Sequence, residues 1–302
     1  MTETINEIIK KHKNLFSESP FIVEKINAGF TNTLFRVNNE FIVKICHKAD
    51  NEEEFLQEIK FYLANENKGY IPNLYAHSTD KKVVPYFYEI IERIDGVSLY
   101  HVWHTFNETK REQIVKQICE IMADFHQIKG TPYDWSSYIK DFYEEHLNVL
   151  IKKNLLKEND ILLVRNAMNR FDEYLKSDEF VFIHNDLHFD NIFINKNNEL
   201  KIIDFESSRF APVDKEFEVL MFMAEQPYKH ANENDEQFVK QEDYANLIAY
   251  FKKYYPKPFK TPYFEKRIAI YNLRDTMDLY CRFSHEQALH NRILEKAKYI
   301  IG

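Results

Sequence analysis

Residues 180–194 read FVFIHNDLHFDNIFI, and residues 200–205 read LKIIDF. Two apolar runs bracket a knot of His, Asn and Asp, and a third run ends on a further Asp. Short runs rich in Val, Ile and Phe are what buried strands look like. The connector NKNNE, 195–199, is made of turn formers, so IFI (192–194) and LKII (200–203) are expected to form a β-hairpin. Pairing 194 with 201 puts 192 opposite 203 and Asn191 opposite Asp204, with Cβ atoms about 4.5–5.5 Å apart. An amide oxygen and a carboxylate at that separation are hard oxygen ligands suited to Mg²⁺. Asp186 lies in the loop leading into the same hairpin, so one edge gathers a base-like carboxylate and two candidate metal ligands. Taken singly, Asp and Asn are ordinary turn residues. Three of them, each abutting an apolar strand, call for chemistry.

Working outward, the N-terminal third reads as short strands: FIVEKI (21–26), TLFRV (33–37) and FIVKIC (41–46). Alternation puts Ile42, Lys44 and Cys46 on one face of the third strand and Phe41, Val43 and Ile45 on the other. NEEEFLQEIKFYLANE (51–66) carries acids in its first turn and apolar residues at Phe55, Ile59 and Tyr62, a helix pattern. The extended run VVPYFYEIIERIDG ends at Gly96. Beyond it, residues 107–128 place Ile114, Ile118, Ile121, Met122, Phe125 and Ile128 on one helical face, with Asn107 as N-cap. Further helices are expected over 138–176, 215–226, 236–254 and 264–300. The shift in composition at 94–96 marks the expected boundary between a β-rich lobe, residues 1–94, and a mainly helical lobe, residues 95–302.

The motif His184-Asn185-Asp186-Leu187-His188-Phe189-Asp190-Asn191, followed by Ile-Ile-Asp-Phe, resembles the core of the aminoglycoside phosphotransferase and choline kinase family, relatives of the protein kinases. The likeness extends along the chain: a loop-bearing hairpin, a strand lysine, a helix glutamate, a hinge and ADFHQI (123–128), then the motif. The resemblance implies an α+β, bilobal, protein-kinase-like fold. A small antiparallel sheet with one helix would form the N-terminal lobe, and a larger helical lobe would carry the catalytic hairpin. It also implies roles suited to phosphoryl transfer, where positioning and charge neutralisation do most of the work. Asp186 would orient the acceptor hydroxyl and take its proton. Asn191 and Asp204 would hold Mg²⁺. Lys44 would bind the α- and β-phosphates of ATP or GTP, steadied by Glu58, with Glu54 one turn earlier as the other candidate. Gly29 and Thr31, in the loop 27–33, would cover the phosphates. The backbone of Glu92–Ile94 would meet the base edge, with Ile91 lining its pocket. Two departures stand out: the loop has one glycine, and Asp204 is followed by Phe-Glu where protein kinases have Phe-Gly.

The bulk properties bound the rest. Hydrophobic residues make up 44% and charged residues 29% of 302, an ordinary globular balance. No run reaches the roughly 18 apolar residues of a membrane span, and the N-terminal MTETINEIIKKHK lacks a signal peptide's apolar core. A cytoplasmic enzyme is expected, a monomer or a dimer. Cys46, Cys119 and Cys281 have no paired spacing. The net charge of −8 argues against nucleic acid and anionic membrane as partners. Of that charge, −6 falls between Asp214 and Asp243, which suggests a cationic acceptor such as an aminoglycoside or a choline-like amine, met by Asp214, Glu216 and Glu218. Two other readings remain open at this point. One is a nucleotide-binding pseudoenzyme. The other is a metal-dependent hydrolase built on His184, Asp186, His188 and Asp190.

Overall fold

Alternation and helix period carry over directly into the elements of the first hundred residues. The structure is a computed structural model, which describes residues 1–16, 21–26, 32–66, 68–229 and 235–302. Helix α1 (Thr2–Lys11) is followed by strands β1 (Val23–Ile26), β2 (Thr33–Val37) and β3 (Phe41–Cys46), helix α2 (Glu52–Ala64), strands β4 (Leu74–Ser78), β5 (Phe87–Glu92) and β6 (Val97–Ser98), and helix α3 (Leu99–Val102). Next come α4 (Glu108–Phe125), β7 (Lys129–Gly130), α5 (Trp135–Lys152), α6 (Glu158–Met168), α7 (Phe171–Tyr174), β8 (Phe180–Ile183), β9 (Ile192–Ile194), β10 (Leu200–Ile202) and β11 (Arg209–Ala211). Helices α8 (Phe217–Glu225), α9 (Leu247–Tyr254), α10 (Phe264–Arg282) and α11 (Gln287–Ile301) complete the chain. Strand β4 had no expectation in the sequence reading.

The chain divides into two compact units. One joins Met1–Phe106 to Asp186–Ser208 and, among the described residues, 235–239; the other holds 107–185, 209–229 and 240–302. Compactness therefore draws its line elsewhere than the composition shift at 94–96. The reason is local: β6 pairs with β9, so the hairpin after Asp186 joins the N-terminal unit through a ladder ordered β10-β9-β6. Gly96 permits this approach, because a Cβ there would lie 2.8 Å from the Ile194 carbonyl oxygen.

Within the first unit, a five-stranded antiparallel sheet runs β1-β2-β3-β5-β4. Asn38 and Asn39 close the β2–β3 turn with φ of 53° and 72°, the left-handed pair that twist-matched hairpin turns require. Ile5, Ile8 and Ile9 of α1 cluster with Phe35, Val37, Val43 and Ile45 on one sheet face. Each such side chain contributes roughly 1.5–3 kcal/mol on burial. On β3, Cys46 meets Phe55 and Ile59 of α2, so the face that carries Lys44 looks toward α2. In the second unit α4 starts as expected, the Lys110 amide donating to Asn107 Oδ1 at 2.9 Å. Its buried stripe holds Ile114, Ile118, Met122 and Phe125, while Ile121 and Ile128 are half-buried.

Candidate active site

An ammonium carries three donors and no acceptor, and three carboxylates surround that of Lys44, of which Glu58 and Asp204 accept hydrogen bonds from it. Glu58 Oε2 lies 2.5 Å from Lys44 Nζ, Glu206 Oε1 at 2.5 Å and Asp204 Oδ1 at 3.2 Å. Lys44 is 7% exposed. Burial by itself would pull the ammonium's pKa down; Glu58, Asp204, Glu206 and Glu89 outweigh it and hold the pKa well above the usual lysine range. Lys44 is a fixed cation. Glu58 is held from behind, its Oε1 accepting from the Tyr62 hydroxyl at 3.3 Å and the Phe205 amide at 3.2 Å. Burial pushes the Glu58 carboxyl up to about 7, with Lys44 opposing and the Asp204 and Glu206 charges adding. Glu54 is exposed, so of the two candidate glutamates it is Glu58 that faces the lysine.

Asp204 and Glu206 both reach Lys44 because of the residue between them. Phe205 is buried and stacks on Phe61, ring centroids 3.9 Å apart. Asp204 takes a φ of 66°, uncommon for a residue with a side chain, and the chain turns so that side chains two apart flank one ammonium. Asn32 Nδ2 donates to Glu206, while Asn32 Oδ1 has no partner among the described residues. Opposite Lys44 in the β3–β5 register stands Glu89, fully buried, with neither oxygen hydrogen-bonded among the described residues. Burial first, and the Glu58 charge second, raise its pKa well above the usual glutamate value, which favours its uncharged form.

The catalytic hairpin forms in a different register from the one expected. Ile194 pairs with Leu200 and Ile192 with Ile202, and the Ile203 amide donates to the Asn191 carbonyl at 3.0 Å. Asn191 is thus opposite Ile203, and Asp204 is one step further along. The cause is turn length. The Asn195 amide donates to the Glu199 carbonyl, leaving a three-residue loop 196–198 with Asn198 left-handed at φ 64°, and Asn195 Oδ1 accepts the Asn197 and Glu199 amides at 2.9 and 3.0 Å.

Asn191 Nδ2 donates to the Asp186 carbonyl at 2.9 Å and lies 3.4 Å from Asp186 Oδ2. That commits the amide's donor end to the Asp186 loop. Asp186 has a 41% exposed side chain, and His188 Nε2 is 3.7 Å from its Oδ2. His188 Nδ1 accepts the Asp190 amide at 3.3 Å, and Asp190 Oδ1 accepts from the Ser98 hydroxyl at 3.1 Å. These residues are occupied with one another. Among the described residues, the group of three His, Cys, Asp or Glu whose ligand atoms come within 4.8 Å of one another is Glu58, Asp204 and Glu206. It contains no histidine, which counts against the hydrolase reading.

A cavity of about 360 Å³ opens beside this cluster. Ile26, Leu34, Ile42, Ile91, Ile94, Phe193 and Ile203 line its apolar part, and Lys44, Glu58, Asp204 and Glu206 its charged end. At its edge the Glu92 amide donates to the Asn73 carbonyl at 2.9 Å and the Arg93 amide to the Glu40 carbonyl at 2.8 Å. The Glu92 carboxylate accepts from Lys201 Nζ at 2.7 Å, which ties the segment to β10. Gly29 and Thr31 lie outside the described residues.

Asp214, Glu216 and Glu218 do not form an acidic wall. All three are buried in the second unit with partners there. Asp214 receives Arg267 through two bonds of 2.6 and 2.9 Å and the Tyr271 hydroxyl at 2.9 Å. Glu216 accepts the backbone amides of His184 and Asn185 at 2.7 and 3.0 Å. Glu218 accepts from Lys215 at 2.6 Å. Charge count along the chain registered these acids without their partners. The residues that sequence reasoning missed are Glu89, visible as an acid inside the apolar run FYEIIE, and Asn32. Glu206 was noticed only as a departure from Phe-Gly.

A family model described as the phosphotransferase enzyme family matches residues 22–252. A search of curated proteins matches nothing. Among solved structures, the streptomycin–ATP ternary complex of APH(2")-IIa is 15% identical, with 99% of this chain and 97% of that chain covered and a TM-score of 0.69. ADP-bound aminoglycoside phosphotransferase APH(2'')-Ib is 15% identical over 99% and 96%, TM-score 0.67. The GDP complex of wild-type aminoglycoside 2'-phosphotransferase-IIIa is 16% identical over 99% and 98%, TM-score 0.62. At these identities the likeness is one of fold, and that fold is protein-kinase-like.

Proposed function

The chain belongs to the phosphotransferase enzyme family, and from that premise we propose how its residues act and on what. It is a small-molecule kinase that transfers phosphate to an alcohol group. The nucleotide, ATP or GTP, lies with its base in the apolar part of the cavity, against Ile91 and the backbone of Glu92–Ile94. The Glu92 and Arg93 amides are committed to the sheet, whereas the Ile94 amide has no partner among the described residues and is free to meet a base edge. Lys44 binds the α- and β-phosphates, and Glu58 holds it in place. One observation carries this reading: a buried lysine paired to a helix glutamate at 2.5 Å, with Asp204 at 3.2 Å from the same nitrogen, at the end of an apolar cavity.

Asn191 and Asp204 would hold Mg²⁺. The donor set fits, since Asn191 commits its NH₂ to Asp186, which leaves its amide oxygen, and the Asp204 side chain is 43% exposed; both are hard oxygen ligands. When bound, the ion neutralises charge on the phosphate oxygens. Asp186 accepts the hydrogen bond of the acceptor hydroxyl, aims its oxygen and takes its proton as transfer proceeds. Asn191 keeps Asp186 in position through the loop carbonyl. Gly29 and Thr31 belong to the stretch that covers the phosphates.

The acceptor is a cationic polyol or amine alcohol. The net charge of −8 supports this, as does the streptomycin in a complex of similar fold; Asp214, Glu216 and Glu218 do not. The test is a panel of aminoglycosides, choline-like amines, neutral sugars and amino acids, each run with ATP and with GTP, on the wild type and Asp186→Ala. Transfer to cationic acceptors that drops on the order of 10²–10⁴-fold in the variant is expected. Transfer confined to neutral acceptors would refute the acceptor class, and nucleotide binding without transfer to anything would favour the pseudoenzyme.

A further inference from the structure

We propose that Glu206 is a displaceable latch on Lys44: its carboxylate occupies the place beside the ammonium that a nucleotide phosphate oxygen must take, and it fastens Asn32 there as well. The inference rests on the nucleotide reading above and adds a residue which that reading does not use.

The case starts from the three donors of Lys44. Glu58 and Asp204 accept hydrogen bonds from two of them and the Glu206 carboxylate stands 2.5 Å from the same nitrogen, so a lysine that is to hold two phosphates must part from two of these three carboxylates. Glu58 is not the one to leave. It is 1% exposed, sits inside α2, and its second oxygen is bound by the Tyr62 hydroxyl and the Phe205 amide. Asp204 stands farthest of the three from Lys44 Nζ and has a 43% exposed side chain, so it can turn away toward a cation. Glu206 is 8% exposed, and Lys44 and Asn32, which it contacts, both line the cavity with it. Its ion-pair distance to Lys44 Nζ equals that of Glu58, 2.5 Å. A phosphate oxygen and the Glu206 carboxylate are like charges seeking the same place beside the ammonium, and they repel at that distance. Only one can have it.

Displacement has a second consequence. Asn32 belongs to the stretch 27–33 expected to cover the phosphates, and its NH₂ is held by the same Glu206 carboxylate. When phosphate takes Glu206's place on Lys44, the carboxylate leaves both partners together. Binding of the nucleotide is thereby coupled to release of Asn32, whose side-chain oxygen is already buried without a partner among the described residues.

The experiment measures ADP binding by calorimetry in the presence of a chelator, then steady-state kinetics with Mg²⁺, for the wild type, Glu206→Gln and Asn32→Ala. Glu206→Gln is expected to bind ADP about tenfold more tightly without metal, the effect of removing one nearby like charge. The KM for nucleotide should fall by a similar factor while kcat does not rise, a split that a merely structural residue would not produce. Asn32→Ala, which loosens the carboxylate without removing it, should shift affinity the same way by less, and it serves alone if Glu206→Gln does not fold. Equal or weaker ADP binding in folded variants overturns the latch. A wild type that binds no nucleotide overturns the kinase reading itself, so the two failures are distinct.

Discussion

Two buried clusters of charge, one in each unit, share ingredients and differ in closure. In the second unit Asp214 faces Arg267 and Tyr271, and every strong donor and acceptor has its match. In the first unit four carboxylates, Glu58, Glu89, Asp204 and Glu206, surround a single lysine. One of them, Glu89, has its pKa raised by burial and has no hydrogen-bond partner among the described residues. A closed cluster with equal charges is a structural joint, because it has nothing left to offer a ligand. An unequal one, opening on a cavity, is under electrostatic tension that a ligand can relieve. Imbalance, more than burial, separates the site from the scaffold.

Three substitutions break or sharpen that contrast. Lys44→Met removes the only cation of the unequal cluster. Phosphate transfer should fall on the order of 10²–10³-fold, as when one charge-stabilising donor is lost, measured as kcat/KM for nucleotide. Its thermal midpoint should fall less than that of the next variant, because Glu58 can take up a proton. Normal transfer would mean that the lysine is scaffold. Arg267→Leu strands Asp214 inside the closed cluster and should cost about 3–5 kcal/mol in urea unfolding, with the KM for nucleotide unchanged in the fraction that folds. A changed KM with intact stability would move Asp214 back to the site.

The smallest effect is at Glu89. Its pKa is higher in the folded protein than the 4.5 usual for glutamate, so the folded state keeps a proton that the unfolded chain releases. Stability from this group is whole below pH 4.5 and is lost as pH rises from there toward the folded value. Glu89→Gln removes the penalty. The variant should melt at a higher temperature than the wild type at neutral pH and at nearly the same temperature at pH 4. A lower midpoint at pH 7 would show that Glu89 is charged and bonded.

Much of this was legible before any coordinates. β2, β3 and α2 fall close to where alternation, acids in the first turn and helix period put them, and Asn107 caps α4. These signals are short-range, since a strand's facing and a cap's hydrogen bond depend on residues within a few positions. The catalytic motif was readable for the same reason, its residues lying within one loop and one hairpin. The register was not. It turned on whether NKNNE encloses three or four loop residues, which the left-handed Asn198 decided. Nor was the fate of Asp214, Glu216 and Glu218, because Arg267 is 53 positions from Asp214 and no local pattern joins them.

From its residue order alone the chain points to many of its elements and to the side chains proposed to carry the chemistry: Lys44, Glu58, Asp186, Asn191 and Asp204. Tertiary structure alone settles how those charges balance. It sets Glu206 beside Lys44, raises the pKa of Glu89 by burial, and turns the acids after Pro212 inward onto partners of their own. The division has a physical cause. Backbone preference and side-chain period act over a turn or a strand pair, whereas the charge state of a buried group depends on every group brought near it, at any distance in sequence.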